Sequence, residues 1–422
     1  MATHKVLASL LSLGFLAIGG GQMSHADKAN RSELDVKIST IAARVSEIRG
    51  LKIKKPIVKG VMNQKQLKDR LLLRIHEDYT AEEIASEEIM MKRFGFFPEN
   101  KKYLDTVVSM LTEQIAGFYD PKEGKLYVTQ STGMGEDVVL SHEIEHAIQD
   151  QHFDLQKFMT EKKDIGDESL ARQALLEGDG TLLMFEFSGT LDYSKKERPN
   201  AEMMAQSFSA ATIQMASYPM ALRESMIFPY QAGLRFVDYF RFKGGWTLMD
   251  EVYKKPPVST EQILHPEKYE EDDKPIAVSI NKPEDFKNWH EVSSNVAGEF
   301  SIALMLRGWG VERQDAERAA AGWGGDKIVV WARNKKETNS SQTIGLLKSV
   351  WDDENEASEF FEVAKEGLES WSSALAFKQA PNHYRFKDRE KGQVYGLKKD
   401  GKNVLLVLGA PPAWEEVILK KL

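Results

Sequence analysis

The densest run of reactive side chains in the chain is Ser141-His142-Glu143-Ile144-Glu145-His146, followed by Gln149 and His152. His142 and His146 are four residues apart, so on a helix they stand on one face, one turn above the other. Two imidazoles in that arrangement can both reach one zinc ion at about 2 Å. Glu143 lies about 100° round the helix from His142. There its carboxylate can hold a water without taking a ligand position. Leu140, Ile144, Ala147 and Ile148 recur at helical spacing on the opposite face, which predicts core on one side and metal on the other. The alternative is a chance HExxH on a surface helix. With nine histidines in 422 residues, such a match arises in on the order of one chain in a hundred.

A catalytic zinc takes three protein ligands and leaves a fourth place for water. Two residues compete for the third position. His152 follows His146 by six residues, the spacing of the extended HExxHxxGxxH pattern. That pattern requires a glycine where this chain has Gln149. Glu177, in Ala174-Leu175-Leu176-Glu177-Gly178-Asp179-Gly180-Thr181, is the preferred ligand. Each glycine costs a helix about 1 kcal/mol, so two beside an acid imply a close approach to the first helix. The plainer roles are a solvated acid for Glu177 and, for His152, a helix-end residue facing the last carbonyls. Asp179 points about 200° away from Glu177 on an ideal helix. It reads as a solvent-facing acid, with orientation of a ligand histidine as the alternative.

The elements that must position these groups follow from periodicity and breakers. Asp27–Phe118 is helical in pattern, with Lys52–Lys55 as a solvated loop. A hairpin comes next, Ile115–Tyr119 and Leu126–Thr129 about a turn at Asp120–Gly124. If Leu126–Thr129 is a sheet edge facing the cleft, a peptide can add to it as a further strand. The metal helix starts near Glu136, and a second runs from an Asp167 N-cap to Phe187. Further helices are expected over Ala201–Leu222 and Tyr230–Phe242. The stripe Met203, Met204, Met215, Met220, Met226 predicts adaptable core, with a Met turn beneath the metal as the alternative. Glu270–Pro275 is a charged break between domains. Helices near Val296–Leu306, Glu312–Ala321 and Glu356–Leu375 then alternate with strands at Lys327–Trp331, Thr343–Trp351, Tyr384–Phe386, Val394–Leu397 and Val404–Leu408, before a final helix. Trp309, Trp323 and Trp331 are expected to be buried rather than a binding surface.

Composition narrows the function. The chain has no cysteine, which excludes a Cys nucleophile, a Cys-based zinc finger, an iron–sulfur cluster and disulfides. A net charge of −8 without a long basic block argues against nucleic acid as a partner. His4-Lys5, the apolar run Val6–Ile18 and the small residues Ser24 and Ala26 read as a signal peptide over 1–26, too short to span a bilayer. The mature chain is therefore expected to be exported, periplasmic or secreted, and not integral to the membrane.

The HEIEH segment with a downstream Glu-Gly-Asp-Gly resembles the gluzincin type of zinc peptidase. More closely, several stretches resemble a poorly characterised family of exported prokaryotic metallopeptidases. These are Gly117–Pro121, His142–Leu155, Ala174–Thr181, Ser259–Tyr269 and Ala321–Asp326. Where that family usually carries Glu-Gly-Asp-Ala, this chain has Gly180, a departure that leaves the ligand set untouched. The resemblance implies an α+β fold: a mostly helical zincin-like domain over 27–272 with a small edge hairpin, then a smaller α+β domain over 285–422. It also implies peptide hydrolysis with one zinc on His142, His146 and Glu177, and Glu143 as general base. A further donor to the carbonyl oxygen is expected at His265 or Tyr230, whose plainer role is structural hydrogen bonding. The substrate is then a peptide or protein. The alternatives are an amidase of cell-wall peptides and a metal-stabilised binding or assembly protein without turnover.

Overall fold

The computed structural model describes residues 30–114, 117–129, 136–159, 165–195, 198–282, 284–334, 336–337, 339–372, 375–388, 392–412 and 418. The expected signal peptide, and most of the expected final helix, lie outside these residues.

In chain order the first half comprises α1 (Asn30–Arg49), β1 (Val58–Met62), α2 (Gln64–Asp78), α3 (Ala81–Arg93), α4 (Tyr103–Gln114), β2 (Gly117–Asp120) and β3 (Lys125–Thr129). The helix that carries His142, Glu143 and His146 is α5 (Glu136–Phe153), followed by α6 (Leu155–Phe158), α7 (Gly166–Phe187), α8 (Ala201–Gln214) and α9 (Met220–Lys254). Two short helices, α10 (Thr260–Leu264) and α11 (Pro266–Glu270), lead to the second half. That half contains β4 (His290–Asn295), α12 (Gly298–Gly308), α13 (Arg313–Ala320), β5 (Trp323–Ala332), β6 (Thr343–Trp351) and α14 (Glu354–Ser372). It closes with β7 (Leu375–Ala380), β8 (His383–Lys387), β9 (Val394–Asp400) and β10 (Asn403–Ala410). The fold is mixed α+β with two sheets.

Local chemistry sets several boundaries. Thr80 and Glu83 form a reciprocal capping box at the start of α3. The α7 helix starts one residue before the predicted Asp167 and its first turn has no side-chain cap. Asp167 instead accepts hydrogen bonds from the Thr260 N–H and hydroxyl, at 3.1 and 2.6 Å, which ties α7 to α10. Two predicted segments, Ala201–Leu222 and Tyr230–Phe242, divide differently in the structure. α8 stops at Gln214, and α9 then runs 35 residues, with a kink at Gly244–Gly245 beyond which Trp246 and Asp250 meet Arg49 of α1.

The first sheet has the order β1-β3-β2. β1 pairs parallel with β3, Val58 opposite Lys125, and interrupts what the sequence pattern reads as continuous helix. β3 is therefore the central strand and not a sheet edge, so the condition for adding a peptide strand to it is not met. The second sheet, β4-β5-β6-β10-β9-β8-β7, is antiparallel throughout. On β5, Ile328 and Val330 face the main core while Val329 and Trp331 face a smaller cluster with Phe286, Trp289 and Ile418. Both faces are covered, so the strand reads as a continuous apolar run.

The main core is contiguous from Leu67 to Leu408 and takes residues from both sides of the Glu270–Pro275 linker. Trp309, Trp323 and Trp331 are all buried in the cores, as expected. Of the methionine stripe, Met215 and Met226 are buried, but Met203 is 56% exposed. No helix among the described residues is long and apolar enough to cross a membrane.

Candidate metal centre

The α5 helix lies between α1 and α7. Its apolar side, Leu140, Ile144, Ala147 and Ile148, packs with Ile38, Ile41 and Val45 of α1 in a separate core cluster. Its polar side is equally buried: His142, Glu143 and His146 are at most 3% exposed. α5 is thus an interior helix whose second face is chemical rather than solvated.

Glu177 enters from α7. Its Oε2 stands 3.1 Å from His142 Nε2 and 3.4 Å from His146 Nε2, and the two imidazole nitrogens are 3.0 Å apart. Donors about 2.0–2.1 Å from a tetrahedral zinc sit about 3.3 Å from one another, so this triangle fits that ion. The donor set, two imidazoles and a carboxylate, is that of catalytic zinc. Glu177 is fully buried, with Oε1 lacking any hydrogen-bond partner. A solvated role is thereby excluded.

Two glycines make the approach possible. A Cβ at Gly178 would fall 2.2 Å from the Gly233 carbonyl carbon, so α7 and α9 cross backbone to backbone at this point. A Cβ at Gly180 would press on the His142 ring at 3.0 Å and the His146 ring at 3.4 Å. The sequence pattern places both glycines against the first helix. In the structure Gly180 makes that contact and Gly178 serves the crossing with α9.

The electrostatics favour a cation in the triangle. Burial works against a charged His146, yet the Glu177 carboxylate outweighs it and raises the ring to about 9. Burial lowers His142, with Glu177 pulling the other way. Burial also opposes ionisation of Glu177, but His146 and His142 hold it below the ordinary carboxylate range. The pull that keeps an extra proton there is the pull that would hold a metal cation.

Glu143 accepts a hydrogen bond from the Tyr119 N–H of β2 at 3.1 Å on Oε2, while Oε1 has no partner. Burial, reinforced by Glu177 and offset by His146, pushes it up to about 8. The strand beside Glu143 is thus β2, an outer strand of the sheet. Tyr230 of α9 is buried with its ring centroid 6.0 Å from that of His142.

The other candidates lie elsewhere. His265 is bound through Nε2 to Glu299 Oε1 at 2.9 Å, with Glu267 3.8 Å from Nδ1. It joins α10 to α12, which is the plainer, structural role named for it, and its ring is engaged there rather than as a donor to the triangle. His152 Nε2 bonds the Lys52 carbonyl at 2.7 Å. It is neither the third vertex of the triangle nor a cap on its own helix, because the α1–β1 connection claims its ring. A second acidic group, Glu261, Asp273 and Asp352, surrounds Lys268, whose ammonium already supplies the cation.

Asp179 departs most from expectation. It is fully buried and is gripped by Arg49, the last residue of α1, with Nε 3.1 Å from Oδ1 and Nη2 3.1 Å from Oδ2. Arg49 Nη1 also bonds Asp250 at 2.8 Å, and its guanidinium covers the Trp246 ring at 4.5 Å. Glu145 lies 3.4 Å from Arg49 Nε. Burial, then Asp179, drives Glu145 well above the carboxylate range, with Arg49 pulling the other way. The sequence reading missed Arg49, Gln149, Asp250 and Tyr253 around this centre. Only Gln149 carried a signal, being three residues past His146 on the same helix face.

Residues 285–417 match a family model described only as a domain of unknown function, DUF8575. The match begins after the linker and contains none of the metal-centre residues. No curated protein matches the chain, and no solved structure does.

Proposed function

We propose that the chain is a zinc-dependent peptidase of gluzincin type with a zincin-like metal-binding half, exported to the periplasm or the exterior. The observation that carries this reading is the triangle of His142 Nε2, His146 Nε2 and Glu177 Oε2, with sides of 3.0–3.4 Å, beside a buried Glu143. Zinc held there supplies Lewis-acid polarisation of a peptide carbonyl and acidifies water. The chain's own groups then divide the work. Glu143 keeps Oε2 on the Tyr119 N–H and has Oε1 free to take a proton from water and return it to the departing amine. Tyr230, packed on His142, is the residue assigned to donate to the carbonyl oxygen as charge develops. Peptides or proteins are the proposed substrates, with cell-wall peptides as the variant of the same chemistry.

The competing reading is a zinc-stabilised protein without turnover. One observation favours it: the site's residues are at most 3% exposed, which leaves little of them open to a substrate. Glu143→Gln separates the two. The peptidase reading expects cleavage of a denatured protein to fall by at least about 100-fold with zinc retained. Cleavage unchanged by the substitution would remove Glu143 from its role, and absence of cleavage of both protein and peptidoglycan by the zinc-loaded wild type would favour the second reading.

A further inference from the structure

A chain of four hydrogen-bonding groups runs away from the metal centre and ends on the Arg49-bound carboxylate. His146 Nδ1 is 2.8 Å from Gln149 Oε1, Gln149 Nε2 donates to the Tyr253 hydroxyl at 3.1 Å, and that hydroxyl donates to Asp179 Oδ2 at 2.9 Å. All four side chains are buried.

Its direction is fixed from one end. A carboxylate can only accept, so Tyr253 must give it the hydroxyl proton. The tyrosine oxygen is then left with lone pairs alone and must accept from the Gln149 amide nitrogen. That turns the Gln149 carbonyl oxygen toward His146, and an oxygen there requires the ring proton on Nδ1. Nε2 is consequently the bare nitrogen, and Nε2 is the atom in the triangle. Arg49 completes the logic by keeping Asp179 an acceptor through its two-pronged contact.

We infer that Arg49, Asp179, Tyr253 and Gln149 form a directional relay that selects the metal-ready tautomer of His146, so that the C-terminal residue of α1 and the last turn of α9 set zinc affinity without touching the metal. These are positioning residues. The inference rests on the zinc reading only for its affinity consequence, because the tautomer is a property of the metal-free protein as well.

Two near-isosteric variants test it. Tyr253→Phe removes the central link. Asp179→Asn permits the reverse polarity, in which an amide donates at the far end and the proton settles on His146 Nε2. Phe153→Leu serves as a packing control, since Phe153 stacks on the Tyr253 ring at 4.0 Å and lies 6.0 Å from the Arg49 guanidinium through its ring face, with no side-chain hydrogen bond to any relay group. The first readout is the ¹⁵N spectrum of the His146 ring in metal-free protein, titrated until the ring is neutral. The wild type and Phe153→Leu should carry the proton on Nδ1, whereas Asp179→Asn and Tyr253→Phe should move it wholly or partly to Nε2. The second is zinc affinity by chelator competition, expected to weaken about 10–100-fold in the two relay variants and to stay within about twofold in the control. An Nε2 proton in the wild type, or relay variants with unchanged tautomer, would overturn the inference. So would a control that weakens zinc as much as Tyr253→Phe. A wild type with the Nδ1 proton but no zinc binding would instead sink the proposed function and leave the relay standing.

Discussion

Arg49 and Arg93 are both buried guanidiniums, at 0% and 5% exposure, and their surroundings are opposite. Arg49 ends α1 beside the metal centre and is answered by Asp179 and Asp250. Arg93 ends α3 where the first half meets the second sheet. Its Nε donates to the Thr343 hydroxyl at 3.0 Å and its Nη2 to the Ser340 carbonyl, both neutral acceptors. Burial accordingly pulls Arg93 below the usual arginine range, while the neighbouring carboxylates overcome burial and raise Arg49. The same junction buries Asp167 and Asp326 on N–H and O–H donors. Asp326 accepts from the Ala297 and Gly298 N–H groups, both at 2.9 Å, and from the Trp323 indole. Around the candidate metal, then, charges are paired and aimed. At the junction single charged groups are held by neutral partners, an arrangement that joins elements and leaves the buried charge without an ionic partner.

The contrast is broken most directly by substituting each arginine. Arg49→Leu strands a buried carboxylate and is expected to cost about 3–5 kcal/mol. Arg93→Met strands none, and the Thr343 hydroxyl still donates to the Ser340 carbonyl at 2.6 Å. Its expected cost is about 0–2 kcal/mol. Urea midpoints of the two variants decide the matter, and equal losses would erase the distinction.

A smaller effect sharpens the junction side. Burial raises Asp326 from 3.8 to about 6, against the three donors that favour its charge. An acid whose folded pKa is raised binds its proton more tightly in the folded state. The associated stability is full below the unfolded value and is lost as pH climbs through the folded one. Between about pH 4 and pH 6 the wild type should lose about 2–3 kcal/mol from this group. Asp326→Asn should show a correspondingly flatter dependence over that window. A wild-type curve no steeper than that of the variant would place the titration elsewhere.

The sequence was most informative where the candidate site sits on one helix. His142, Glu143 and His146 are legible because four-residue spacing translates directly into a shared face, and Glu177 because two glycines beside an acid need a packing reason. The relay behind them was not legible. Arg49, Asp179 and Tyr253 come from α1, α7 and α9, and nothing in a linear pattern says that three distant helices converge. Asp179 misled for the same reason: an angle of about 200° from Glu177 gives a direction but not what lies there, and α1 does. β1 escaped because its partner β3 is paired across more than sixty residues (Val58 with Lys125), so no hairpin turn announces it. The irregular stretch that follows Glu270 was legible from its charge as a break between elements. The core that runs across it was not, because α12 and α14 present apolar faces whose partners only the fold reveals.

Zinc content by mass spectrometry, on the purified chain beginning at Asp27, tests the central claim most directly. The account predicts about one zinc per chain in the wild type and in His152→Ala, and loss of that zinc in Glu177→Ala. A wild type that binds no zinc even after supplementation, or a zinc that survives Glu177→Ala and is lost with His152→Ala, would contradict it.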